Sequence, residues 1–273
     1  MDSKFSYSHF LSLLQSRNLD GAFDYRASFT PDYLFKFYPL QDNPIKDYNK
    51  KRLDSLENNM LWFATPEVQN DPYEFEGIYW EDDILLQAGI PLEAINYAKV
   101  LLYHRIALAA FTSNMSDNLP MWAHYANNHH GYCVKYRITQ KRAFRNILYT
   151  NSRRPVTKTF LSFLQGGLRG IKTGDPKLLA QANVDSAILQ DKLFCKHSSW
   201  EYEHEFRALY PFHGSGSGLN VPICKLGLAV EEIYCGINCS DANKRELSRI
   251  ASVLEVPCME CSKSHTEFTV FHK

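Results

Sequence analysis

The chain has 273 residues, with 30 basic and 30 acidic side chains, so its formal net charge is zero. A neutral chain has no long-range field that would collect nucleic acid or anionic membrane, although local basic patches still could. No run of about 18 apolar residues occurs, which excludes a transmembrane helix. The N-terminal residues show no basic segment followed by an apolar one, and the seven cysteines form no compact framework. We therefore expect a cytoplasmic protein with reduced thiols and no membrane partner.

Residues 1–30 are predicted to form an N-terminal helical extension, a helix followed by a loop, and residues 31–273 a single α+β domain. Strands and helices do not alternate in a βαβ repeat, so we expect a mostly antiparallel sheet with helical insertions. In chain order we predict a strand at 33–38, a helix at 49–59, a strand at 60–64, one or two helices at 81–106, a strand at 106–113, a short helix at 118–126 and strands at 132–136 and 144–149. A helical insertion follows at about 155–195, interrupted by Gly166-Gly167 and by Gly174-Asp175-Pro176. After it we predict strands at 200–210 and 226–237, a helix at 240–255 and a strand at 267–271.

A charged segment runs from Lys196 to Arg207. If the chain is a strand from Glu203 onward, period-2 alternation places Glu203, Glu205 and Arg207 on one face and turns His204 away. Two carboxylates on one face repel each other unless a cation, a hydrogen-bond network or a ligand holds them. Such a pair suits cleavage of a glycosidic bond through an oxocarbenium-like state. An exposed strand face with weak surface ion pairs explains the same spacing, and the spacing alone favours it.

Aromatic and polar side chains precede this segment. The strand at 106–113 ends in Thr112 and Ser113, and the next helix carries Trp122, His124 and Tyr125. Trp122 and Tyr125 are three residues apart and share a helical face, which would suit a pocket for a planar ring, whereas His124 faces elsewhere. A core helix with a buried tryptophan is an equally good interpretation. Asn70-Asp71-Pro72 is predicted to form a fixed loop, because an Asx residue before proline favours a turn.

Two groups of residues raise the question of a metal. The spacing of Cys235, Cys239, Cys258 and Cys261 is roughly that of a four-cysteine zinc site, but free core thiols are the interpretation we favour. His124, His129 and His130 cluster near a turn without a carboxylate at a familiar metal-ligand spacing. We therefore expect no metal, and a metal-dependent hydrolase built on these histidines is the weakest functional hypothesis.

Several motifs occur together and in order: Leu34-Phe-Lys-Phe37, Leu61-Trp-Phe-Ala-Thr-Pro66, Asn70-Asp71-Pro72, Phe111-Thr-Ser113, Met121-Trp-Ala-His-Tyr125, Gly131-x-Cys133 and Lys196-x3-Trp200-x2-Glu203-x-Glu205-x-Arg207. As a set they resemble a widespread bacterial family of domains of unknown function, over roughly residues 33–240. Its layout is similar to the ADP-ribosyltransferase fold, in which a first strand carries a residue for NAD, a later strand a Ser-Thr-Ser-like motif and a last one Glu-x-Glu.

This resemblance implies an NAD-dependent ADP-ribosyltransferase-like enzyme that consumes NAD as a substrate and acts as a toxin or anti-phage effector. Glu205 would stabilise the oxocarbenium-like ribose, and Glu203 would position the acceptor, a protein or a nucleic acid. The residues that would contact NAD are Lys36, Asn70, Asp71, Ser113, Trp122, His124, Tyr125 and Arg207. A regulatory partner protein would restrain such an activity. The alternative is a non-catalytic module that binds a nucleotide or a partner in the same cleft.

Overall fold

The computed structural model describes residues 5–42, 47–103 and 105–272. Its α-helices are α1 (Tyr7–Gln15), α2 (Leu19–Ala27), α3 (Tyr48–Glu57), α4 (Asp82–Gln87), α5 (Leu92–Tyr103), α6 (Leu119–Tyr125), α7 (Thr157–Thr173), α8 (Pro176–Lys192) and α9 (Asp241–Leu254). Its strands are β1 (Tyr33–Tyr38), β2 (Met60–Ala64), β3 (Ile78–Tyr79), β4 (Ile106–Thr112), β5 (Tyr132–Ile138), β6 (Arg145–Asn146), β7 (Leu148–Thr150), β8 (Arg154–Pro155), β9 (Cys195–His197), β10 (Glu205–Pro211), β11 (Gly218–Pro222), β12 (Leu228–Cys235), β13 (Cys258–Lys263) and β14 (Val270–His272).

Most of these strands belong to one open sheet. Its order is β11-β2-β4-β1-β5-β12-β13-β14, with β10 paired to β4 and β6 paired to β10. Among the strands of this sheet that the described residues form, only β12 and β13 run parallel, and α9 carries the chain from one to the other. Two small parallel pairs, β3–β8 and β7–β9, lie outside it. The predicted fold class, a mixed fold with a mostly antiparallel sheet, is confirmed.

The sheet splits beside β4. One edge of β4 pairs with β10 along its whole length, from Ile106 to Thr112. The other edge meets β1 only at Thr112 and β2 only at Leu108. Strands β1 and β2 therefore diverge, and a gap opens next to Ala110 in the middle of β4. Lys36 of β1 reaches into this gap, where its Nζ donates a hydrogen bond of 2.9 Å to the Ala110 carbonyl oxygen.

The two faces of the sheet bury different clusters, as strand alternation requires. On one face, Leu34 and Val134 pack with α3 and α9 in the first cluster, through side chains such as Leu53 and Leu247. The other face carries two clusters. The second cluster contains Leu108 together with residues of α7 and α8, and the third contains Trp122 of α6. The gap beside β4 thus connects the α3 face to the face that carries α6.

Helices α7 and α8 form the predicted insertion, but Gly166-Gly167 does not interrupt α7, which ends only at Gly174. The close approach of the two helices occurs one turn further, at Gly170, where a Cβ would lie 3.1 Å from the Leu179 backbone nitrogen. The N-terminal extension contains a second helix, α2, where a loop was predicted, and Val184 of α8 packs into its core. None of the helices in the described ranges is long and apolar enough to cross a membrane.

The strand predicted at 200–210 is wrong over its first half. Residues Ser198–Glu203 form a 3₁₀ turn, His204 adopts a left-handed conformation with φ of 45°, and β10 begins only at Glu205. The side chain of His197 accepts a hydrogen bond of 3.2 Å from the Ser199 backbone nitrogen, which favours the turn. The prediction also missed β13, whose position depends on the long-range parallel pairing with β12.

Candidate functional site

Buried ion pairs join the charged segment into one cluster. Lys196 Nζ lies 2.6 Å from Glu203 Oε2 and 3.2 Å from Glu205 Oε2. Arg207 Nε lies 2.5 Å from Glu205 Oε1, and its two terminal nitrogens bind both oxygens of Glu74 at 2.5 and 2.8 Å. Lys196 is 7% exposed, Glu203 and Glu205 are 3% exposed, and Arg207 is fully buried. The interpretation of this segment as an exposed strand face is therefore wrong.

Local structure brings these side chains together from three elements. Glu205 and Arg207 share a face of β10, opposite Thr112 and Ala110 of β4. Lys196 comes from β9, and its Nζ lies 4.7 Å from the ring centre of Trp200 in a cation–π contact. Glu203 reaches the same side from the end of the 3₁₀ turn, and His204, predicted to lie on the opposite face of a strand, is an exposed residue before the strand begins. The three predicted side chains thus meet, although only two of them belong to a strand.

Neutral side chains from neighbouring elements also make hydrogen bonds with Glu203 and with the backbone of Glu205. The Tyr125 hydroxyl of α6 donates a hydrogen bond to Glu203 Oε1. Asn70, in the segment after β2, donates to the Tyr125 oxygen at 2.8 Å. On the far side of the cluster, the Glu205 backbone nitrogen donates to the Tyr149 oxygen at 2.8 Å. Both oxygens of Glu203 accept hydrogen bonds, one from a cation and one from a neutral phenol.

The pKa values of the two carboxylates are shifted in opposite directions. Burial raises the pKa of Glu203 to about 7, and the neighbouring charge of Glu205 adds to this effect against the attraction of Lys196. Burial would also raise the pKa of Glu205, but Arg207 and Lys196 outweigh it and lower the pKa to about 2. Burial lowers the pKa of Lys36 to about 8, although Glu205 opposes that shift. Glu203 therefore changes charge near neutral pH, while Glu205 stays ionised.

A cleft of about 880 Å³ opens over the gap in the sheet. This volume lies within the range of about 300–1,000 Å³ that is typical of small-molecule sites. Its walls come from β1, β2, β4 and α3, with the carboxylates at one end. Aromatic side chains, among them Phe35 and Trp62, line the cleft, and Trp62 is 43% exposed. The cleft combines apolar walls with a small number of convergent polar groups, which is the usual composition of a ligand site.

Half of the predicted site residues line this cleft: Lys36, Asn70, Tyr125, Glu203 and Glu205. Arg207 lies directly behind Glu205 and holds it in place through the hydrogen bond from Nε. Lys36, Asn70, Tyr125 and the charged segment are far apart in the sequence, yet they line the same cleft.

The other predicted residues lie elsewhere. Trp122 is fully buried in the third cluster, where its indole nitrogen donates to the Met115 carbonyl oxygen at 3.1 Å, so it is a core residue. His124 is exposed and hydrogen-bonds the Tyr202 hydroxyl at 3.1 Å. Ser113 is exposed, and Thr112 lines the cleft instead. Asp71 is buried and caps its own loop by accepting a hydrogen bond of 2.9 Å from the Tyr73 backbone nitrogen.

Among the cleft residues that the sequence-based prediction missed are Trp62, Glu74 and Lys196. The alternation of side chains along β2 could have indicated that Trp62 points away from the core, because Leu61 and Phe63 on either side of it are buried. Lys196 belongs to the charged motif, but its role as the bridge between two carboxylates depends on the turn that follows. Glu74 had no local signal, since its partner Arg207 is 133 residues away in the chain.

The four cysteines do not meet at one point, because Cys235 contacts Cys239 and Cys258 while Cys261 lies apart from them. Cys235 and Cys258 approach each other with their sulfur atoms 3.7 Å apart on the face of the first cluster. Cys261 is buried in the third cluster on the other face of the sheet. Across residues 5–42, 47–103 and 105–272, no three His, Cys, Asp or Glu side chains are grouped so that they could hold a metal ion. His129 instead stacks on Trp122 with the rings 5.9 Å apart, and His130 Nδ1 lies 3.0 Å from Asp42.

One family model matches the part of the chain that carries the carboxylates. No curated protein and no solved structure matches the chain. The family resemblance expected over about residues 33–240 is confirmed over a shorter range, and the ADP-ribosyltransferase-like fold stays a prediction. Residues 121–208, which include Tyr125, Lys196, Glu203, Glu205 and Arg207, match the family described as a protein of unknown function (DUF2971).

Proposed function

We propose that the cleft is the active site of an enzyme that breaks the nicotinamide–ribose bond of NAD and transfers ADP-ribose to an acceptor. The observation that carries the proposal is the meeting of Glu203 and Glu205 in the wall of a cleft large enough for a nucleotide. Their opposite pKa shifts give one carboxylate that is always charged and one that exchanges a proton near pH 7. Such a division of roles is typical of sites that use two carboxylates in glycosyl transfer.

In the proposed reaction the C1′–N bond breaks, its electron pair leaves with the nicotinamide, and positive charge develops on the ribose. The ionised Glu203 offsets this charge and takes the proton of the acceptor group that attacks C1′. Glu205 is held by Arg207 and Lys196, so it fixes the position of Lys196 and through it that of Glu203. These contacts favour Glu203 as the residue that stabilises the ribose. The resemblance instead implies that Glu205 stabilises the ribose and that Glu203 positions the acceptor.

The acceptor would be a protein or a nucleic acid, and a partner protein would restrain the enzyme in the cell, as expected of a toxin or anti-phage effector. The second candidate is a module that binds a nucleotide without turnover. It is favoured by the hydrogen bonds already made by every carboxylate oxygen of Glu203 and Glu205. Under this alternative, NAD binds in the cleft and is recovered unchanged.

NAD consumption by the purified protein tests the proposal. We expect the wild type to release nicotinamide, measured by chromatography, with cell lysate supplied as a source of acceptors. Glu203→Gln removes the charge and the proton acceptor but keeps the size of the side chain, so its rate should fall about 100-fold to 1,000-fold. Glu231→Gln is the matched control, because Glu231 pairs with Arg137 outside the cleft. Its rate should stay within about twofold of the wild type.

Two results would contradict the proposal. One is that the wild type leaves NAD intact under all acceptor conditions, and binding of intact NAD would then support the second candidate. The other is equal turnover by wild type and Glu203→Gln. Thermal unfolding of each variant shows whether a lost activity reflects a lost fold.

A further inference from the structure

The two ends of the cleft carry opposite charge. The end on the face of α6 holds Glu203 and Glu205. The wall that α3 contributes carries Lys51 and Arg52. Because α3 packs on the first cluster and the carboxylates lie on the other face of the sheet, the cleft passes through the gap between β1 and β2. A ligand that fills it meets carboxylates at one end and cations at the other.

The cations of α3 are available to a ligand. The Arg52 guanidinium lies 4.1 Å over the Tyr48 ring and donates one hydrogen bond of 2.8 Å to the Tyr48 carbonyl oxygen. A guanidinium has five N–H donors, so this contact fixes its position and leaves donors for a ligand. Lys51 is exposed on the same wall. The one acidic side chain that α3 adds to the wall, Asp54, lies 2.9 Å from Lys50, which offsets its charge.

We propose that Lys51 and Arg52 form a phosphate subsite that recognises the diphosphate of a nucleotide whose other end lies against Glu203. This inference rests on the proposed use of the cleft as a nucleotide site, and it adds the residues and the orientation of the ligand. Guanidinium and ammonium groups are the usual partners of phosphate oxygens, through charge-assisted hydrogen bonds. Asn58 and Asn220 line the same cleft, and their side-chain amides carry N–H donors.

The orientation follows from charge. A diphosphate placed beside Glu203 and Glu205 would be repelled, whereas the cationic nicotinamide ring of NAD would be attracted there. Lys36 lies between the two ends and donates to Ala110 in the gap. We therefore expect the diphosphate to bind next to α3 and the nicotinamide ribose to bind next to Glu203.

Titration calorimetry with ADP and adenosine tests the subsite without any turnover. For Lys51→Ala/Arg52→Gln we expect the Kd for ADP to rise at least about tenfold, because two charge-assisted contacts are lost. The Kd for adenosine should stay within about twofold, since it has no phosphate. Asp54→Asn removes a negative charge from the same wall and should tighten ADP binding. Lys225→Ala, an exposed lysine outside the cleft, is the control and should leave both ligands unaffected.

Failure of this inference can be distinguished from failure of the proposed function. The subsite is refuted if the wild type does not bind ADP, or if the double variant binds ADP as tightly as the wild type. It is also refuted if ADP and adenosine lose affinity equally. If NAD is never consumed but ADP binding depends on Lys51 and Arg52 as expected, the phosphate subsite is supported and the proposed reaction is refuted. Circular dichroism and thermal unfolding of the double variant confirm that it is folded.

Discussion

At the scale of single residues, Arg207 is a cation that pairs with two carboxylates of the site. It is fully buried and donates two hydrogen bonds to Glu74 and two more, of 2.5 and 3.2 Å, to Glu205. Lys196 supplies the second cation of the cluster, so two cations face three carboxylates. Removal of one cation would leave buried carboxylates without a partner, which costs far more than the loss of a surface pair.

We therefore expect Arg207→Met to lower the free energy of unfolding by about 3–5 kcal/mol. The matched control is Arg137→Met, because Arg137 is half-exposed and its Nε lies 3.0 Å from Glu231. That change should cost at most about 1 kcal/mol. Equilibrium unfolding in urea measures both values. Equal losses for the two variants would show that the buried cluster does not stabilise the fold.

The raised pKa of Glu203 predicts how the proposed activity depends on pH. Its carboxylate is the active form and its pKa is raised to about 7, so kcat/KM for NAD should rise with pH through this value. The same raised pKa means that the folded state loses stability as pH rises from the unfolded pKa towards 7, because ionisation is disfavoured in the fold. In Glu203→Gln the residual rate should show no such rise. A wild-type rate that falls between pH 6 and pH 8 would contradict a role for the ionised carboxylate.

At the scale of elements, the alternation of β2 separates a cleft residue from the core. Leu61 and Phe63 are fully buried, whereas Trp62 between them is 43% exposed and lines the cleft. In α6 the relation is reversed: Trp122 is fully buried, and Tyr125, one helical turn further, faces the cleft. The two tryptophans should therefore respond differently to truncation.

For Trp122→Ala we expect a loss of about 3–5 kcal/mol in the free energy of unfolding, since a large core side chain is removed. For Trp62→Ala the loss should be below about 1 kcal/mol, but the Kd for adenosine should rise about tenfold because a stacking surface is lost. Urea unfolding and calorimetric titration measure the two effects. Unchanged adenosine binding by Trp62→Ala would show that this ring does not contact the base.

At the scale of the whole molecule, the split sheet creates the site. Strand β4 pairs fully with β10 on one edge but meets β1 and β2 at only one position each on the other. The cleft between the diverging strands collects side chains from β1, from α3 and from the charged segment around Glu203. Only a complete sheet brings these segments together, because 167 residues separate Lys36 from Glu203 (203 − 36).

Local patterns predicted most of the elements. Alternating and continuous apolar runs located β1, β2, β4 and β5, and 3.6-residue periodicity located α3 and α9. Errors occurred where tertiary contacts override local preference. Gly166 and Gly167 continue a helix because α8 packs against them, and residues 200–204 form a turn that carries Glu203 to Lys196.

The sequence by itself determined the fold class and the identity of the charged motif, since both depend on residue types and spacings along one segment. Burial of the motif was decided only by the tertiary structure, because Glu74 and Tyr125 come from distant parts of the chain. The same holds for Trp122, which residue type alone could not assign to core or cleft. A side chain becomes a site residue through the surface it shares with others, and that surface exists only after the sheet has formed and split beside β4.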